Sequence, residues 1–140
     1  MTYTKRIPGP GIGQECPSIW SVLEVCCDLL GVTISDLRDG NRRPRVVLAK
    51  ALFAYCSRAF THASTGQLAE AVYGEKRSPS GKVLEPRGRS NLTVASNRVY
   101  ENLDMPAREF VASWKHSKFA PPEANMTLRE WAEMVKERLT

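Results

Sequence analysis

Gly88-Arg89-Ser90-Asn91-Leu92-Thr93-Val94 reads as the opening of a helix, and the fold expected for the whole chain follows from this stretch. Ser90 is an N-cap residue type, whose hydroxyl accepts from a free N–H of the first turn. Leu92, Ala95, Val99 and Leu103 then recur at i, i+3, i+7 and i+11, one apolar helical stripe. Asn91, Thr93, Asn97 and Arg98 fall off that stripe and are expected to face outward. Arg89 sits just before the helix, within reach of a phosphate. Small hydrogen-bonding side chains beside arginine at a helix N-terminus suit entry into a DNA major groove. An ordinary capped surface helix has the same pattern.

Upstream, Ser64 and Gln67 have capping-box spacing, Leu68, Ala69 and Val72 form a short apolar face, and Gly74 ends that helix. This helix and the one at Ser90 make a helix-turn-helix with a long connection. The connection, 75–87, holds Lys76, Arg77, Lys82 and Arg87 against Glu75 and Glu85. Its prolines and Gly81 predict either a small β-ribbon wing or a mobile basic loop. Six residues between Gly74 and Gly81, and Val83 after Lys82, exclude a phosphate-binding P-loop.

Further upstream, Pro44 predicts the first turn of a long helix reaching about Phe60, with Leu48, Leu52, Tyr55 and Ala59 inward. Arg42, Arg43, Arg45 and Lys50 cluster at its start, against the positive end of the helix dipole. They read either as a solvated end or as a phosphate and minor-groove clamp. Thr33 and Asp36 resemble a capping box for a short turn over Val32–Arg38. A first helix is expected from Ser18 to Leu30, stopped by Gly31. Downstream, Asp104-Met105-Pro106 breaks the chain, Ala107–Trp114 is expected as a short helix, and Pro121-Pro122 marks a linker. Thr127 with Glu130 caps a last amphipathic helix carrying Leu128, Trp131, Ala132, Val135 and Leu139. Its stripe packs on the body of the domain or docks a protein partner or a second copy of the chain.

The expected fold is therefore all-α: a helical bundle with a helix-turn-helix and a basic loop or small wing inserted before the recognition helix. Residues 1–16 read as a flexible arm, 17–104 as a helix-turn-helix DNA-binding domain and 105–140 as a C-terminal helical extension. The 140 residues carry a net charge of +5, which favours an anionic partner. Four cysteines without a C-x-x-C pair and two distant histidines make a zinc site improbable, and buried free thiols in a reducing cytoplasm are the simplest account. No apolar stretch is long enough for a membrane span, and Thr2 to Arg6 run into Pro8-Gly9-Pro10-Gly11 with no apolar h-region of a signal peptide, so a cytoplasmic location is expected. No catalytic constellation or cofactor motif is present, and neither an enzyme nor a cofactor is expected.

Taken in order, four features resemble the C-terminal DNA-binding domain of the bacterial replication initiator DnaA. Leu30-Gly31-Val32-Thr33-Ile34-Ser35-Asp36-Leu37 is like the family's F-G-V-x-x-x-D-L. The basic turn at Arg42, followed by Val47-Leu48-Ala49-Lys50, is like V-x-A-R. Leu52 to Phe60, with Tyr55 and Arg58, is like I-A-M-Y-L-x-R-E-L. Gly88 to Val94 is like G-R-D-H-T-T-V. The likeness covers residues 19–103. It implies a helical domain with a helix-turn-helix related to that of the Trp repressor. It also implies Arg42 in a minor groove, Lys50 facing DNA, Arg58 near the duplex and Thr93 at the start of the recognition helix. Ser90-Asn91-Leu92 replaces the family's Asp-His-Thr, so a different target is expected. Asn91 can pair with adenine and Leu92 can touch a thymine methyl. The initiator's ATPase module is missing, which implies a stand-alone relative of the kind a phage or mobile element carries. Sequence-specific binding of double-stranded DNA in replication or transcription control follows as the leading expectation. The alternative is an adaptor that keeps the fold without reading DNA.

Overall fold

The computed structural model describes residues 7, 9–10, 16–38, 43–73, 76–77, 83–84, 89–112 and 125–139. Seven described helices and a short ribbon follow in the order α1 Ile19–Leu30, α2 Ile34–Arg38, α3 Pro44–Phe60, α4 Thr65–Tyr73, β1 Lys76–Arg77, β2 Val83–Leu84, α5 Arg89–Glu101, α6 Ala107–Phe110 and α7 Leu128–Leu139. The architecture is the expected all-α bundle. The ribbon form of the 75–87 connection is the one realised, with Lys76 opposite Leu84 and Arg77 opposite Val83 in an antiparallel pair.

Local chemistry sets the helix ends. The Ser21 N–H donates to the Ser18 hydroxyl at the start of α1. Gly31, at φ +65°, closes it, with the Gly31 N–H on the Asp28 carbonyl and the Val32 N–H on that of Cys27. Thr33 and Asp36 exchange the two bonds of a capping box, as do Ser64 with Gln67 and Thr127 with Glu130. Pro44 occupies the first turn of α3, where its missing N–H costs nothing.

The core is built around α3. Val46, Leu48, Ala49, Ala51, Leu52, Phe53, Ala54 and Cys56 are all buried, so this helix is enclosed on most sides and not along one stripe. It packs against α1, α2, α4, α5 and α7. Leu128, Trp131, Ala132 and Val135 of α7 belong to the same apolar cluster. The segment expected as an extension is thus part of the main core, and its stripe lies against α1 and α3. That packing covers the face through which a partner or a second copy was to dock. The turn before α6 also zips onto the start of α7. Leu128 and Arg129 donate their backbone N–H groups to the carbonyls of Met105 and Leu103, and Ala107 donates to Met126. Two first-turn donors that a helix normally leaves open are satisfied this way.

Two smaller corrections concern the ends of the chain. Ile7 is buried and Gly9 lies beside the Arg58 carbonyl, so the described part of residues 1–16 is tucked against the body. α6 stops at Phe110, short of the expected Trp114, which itself lies outside the described residues together with Gly74 and Pro121-Pro122. Cys26, Cys27 and Cys56 are buried free thiols and Cys16 is half-buried. Burial, reinforced by neighbouring Cys26 and Asp36, pushes the Cys27 thiol up to about 11, so it stays protonated and unreactive.

Candidate nucleic-acid interface

α5 is held against α3 by a polar seam set in an otherwise apolar contact. Nη1 of Arg58 donates to Ser96 Oγ at 2.7 Å and to Asn97 Oδ1 at 3.0 Å. The Ser96 hydroxyl passes its own proton to the Thr93 carbonyl at 2.9 Å. One turn earlier on α3, Tyr55 stacks on Tyr100, one turn later on α5, with ring centroids 6.3 Å apart. Across this contact the two helices run in opposite directions. Leu92 and Val99 fill the core beneath, and α4 also packs against α5.

Two readings of the α5 sequence fail here. Leu92 is fully buried and is no groove contact, because the stripe it opens is the one that faces the core. Asn97 does not face outward. It is 6 % exposed, since its amide oxygen is the acceptor for Arg58. On α3, Arg58 is half-buried with Nη1 turned onto α5, and burial draws the guanidinium pKa down. The helix also begins at Arg89, two residues earlier than a Ser90 cap requires. Thr93 is half-buried and Arg98 is exposed, with its guanidinium 5.5 Å from the centre of the Phe110 ring. The side chains of Arg89, Ser90 and Asn91 lie outside the described residues.

Val94 is the position that reading the sequence for polar residues missed. It is 55 % exposed, and it shares the outer face of α5 with Arg98 and Glu101. The signal was present in the spacing, because Val94 falls off the Leu92–Ala95–Val99 stripe. A methyl-bearing side chain displayed beside a cation can touch a thymine methyl in the way foreseen for Leu92.

The arginine turn is only partly as expected. Arg42 lies outside the described residues. Arg43 is exposed and pairs with Asp36 at 3.3 Å. Asp36 is held below the usual carboxylate range, first by the Thr33 N–H, then by the Thr33 hydroxyl and Arg43. Arg45 turns away and donates to the Leu30 carbonyl at 3.0 Å, closing the negative end of α1. The chain therefore supplies part of the counter-charge that the arginine cluster called for. Lys50 is half-buried. At about 100° per residue, Arg43, Val47, Lys50 and Arg58 fall within about 80° of one another on α3. They form a strip about 22 Å long that leads to the α5 seam.

Among the described residues, no group of three His, Cys, Asp or Glu side chains could hold a metal ion, and no described helix is long and apolar enough to cross a membrane. No known protein family, curated protein or solved structure matches the chain.

Proposed function

We propose that this chain binds double-stranded DNA sequence-specifically and without catalysis, in replication or transcription control. One observation carries the reading. α5 is fixed along its inner face by Leu92, Val99 and the Arg58 seam, while its outer face displays Val94 and Arg98. A helix anchored on one side and presenting a methyl group and a guanidinium on the other suits a major groove. The net charge of +5 and the Arg43–Lys50 strip on α3 add phosphate-binding capacity. The ordered likeness to the DnaA C-terminal domain supports the same reading and rests on the sequence motifs alone.

The test is selection of bound sites from a random duplex library, followed by mobility-shift titration. Affinity is expected to fall with salt by roughly 0.9 log unit per log unit of salt for each phosphate neutralised. Val94→Ala should relax preference at one thymine position, at about 1–3 kcal/mol of discrimination. Arg98→Ala should weaken binding to the selected site. Failure of the parent chain to retard any duplex at low salt overturns the proposal.

A further inference from the structure

We infer that Arg58 is a positioning residue for DNA reading: by holding Ser96 and Asn97 it fixes the rotation of α5 about its own axis, and so decides that Val94 and Arg98 face the groove. The inference rests on the DNA-binding reading and says how that surface is kept in register.

The contact has the geometry of a rotational lock. Both N–H groups of Nη1 are used, one on each of two successive α5 residues. Successive helical residues point about 100° apart, so a single nitrogen that bridges them resists turning in either direction. Asn97 lies at the edge between the buried and solvent faces of α5. Without its donor, a buried amide oxygen is left unsatisfied, and the cheapest relief is to roll the helix until Asn97 meets water. A roll of about 40° on a helix of about 5–6 Å outer radius moves a surface side chain by about 4 Å. That exceeds the tolerance of any base contact. Tyr55 stacks on Tyr100 at the next turn and adds a second, apolar contact between the two helices. Among the described residues no carboxylate pairs with Arg58, so its acceptors are neutral oxygens whose placement, and not their charge, fixes the guanidinium.

The alternative role, a direct phosphate contact, makes opposite predictions. Arg58→Lys keeps the charge, but its ammonium ends one bond short of Nη1 and falls short of spanning both acceptors. For a positioning residue, Arg58→Lys and Arg58→Gln both lose about tenfold or more in affinity for the selected duplex, with the salt slope unchanged. For a phosphate contact, Arg58→Lys binds nearly as the parent does and Arg58→Gln lowers the slope by about 0.9. That second pattern overturns the inference.

The triple variant Arg58→Met, Ser96→Ala, Asn97→Leu replaces all three partners with apolar groups, an exchange that is often neutral in a core. It should recover binding without the cation. A folded triple variant that stays tenfold weak, with circular dichroism and melting as in the parent, also overturns the inference. A readout without DNA separates this proposal from the one beneath it. In Arg58→Lys the amide resonances of residues 93–101 should shift, and unshifted resonances count against the lock even if the parent binds DNA. If the parent binds no duplex but those resonances move, the DNA reading fails and the lock on α5 stands.

Discussion

Leu92 and Val94 stand two residues apart on α5 and have opposite surroundings. Leu92 is fully enclosed, whereas Val94 is 55 % exposed. Leu92→Ala should destabilise the fold by about 2–5 kcal/mol, through lost burial and a residual cavity, in urea or thermal unfolding. Val94→Ala should stay within about 0.5 kcal/mol of the parent in the same measurement. Equal losses at the two sites would mean that the rotation of α5 is wrong. The apolar stripe through Leu92, Ala95 and Val99 was legible in the sequence because it repeats with the helical period. The burial of Asn97 was not. Its acceptor role depends on Arg58, 39 residues earlier in the chain, and local spacing carries no trace of a partner at that distance.

At the scale of an element, the ends were more legible than the environments. All three capping boxes and the Pro44 start are written in side chains within four residues of the bonds they make, so the sequence displays them directly. Gly31 is a similar case. Its φ of +65° is a left-handed conformation, and a Cβ there would meet no atom within 4 Å. Gly31→Ala should therefore cost about 1–2 kcal/mol from backbone strain alone, read as a lowered urea midpoint with an unchanged m-value. The α2 cap carries a pH signature. Asp36 has a lowered pKa in the fold, so it adds stability at neutral pH that is lost as pH falls through its folded value. Asp36→Asn should flatten the acid limb of the stability–pH curve, and an identical limb in both proteins would show that the cap is not formed. The enclosure of α3 was beyond local reading. Its apolar positions resemble a one-sided stripe until five other helices are placed around it.

For the whole molecule, the decisive feature is that the last helix completes the first one's core. Trp131 and Val135 of α7 pack into the cluster that holds Val22, Leu23 and Cys26 of α1. Arg138 pairs with Asp28 across the same contact, and Arg129 with Asp104. A chain ended at Asp104 should lose its single cooperative thermal transition, and a sharp two-state melt in that fragment would show that the residues before it form an independent core.

The zip between the Leu103–Met105 carbonyls and the first turn of α7 also sets an order of events during synthesis. Met105 has to wait for Leu128, and the cluster around Trp131 stays unfinished until Leu139 has left the ribosome. At about 5–20 residues per second that delay lasts about 2–7 s after Met105 is made. Throughout it the nascent chain leaves the apolar surfaces of α1 and α3 uncovered, a window in which chaperones have a sticky client.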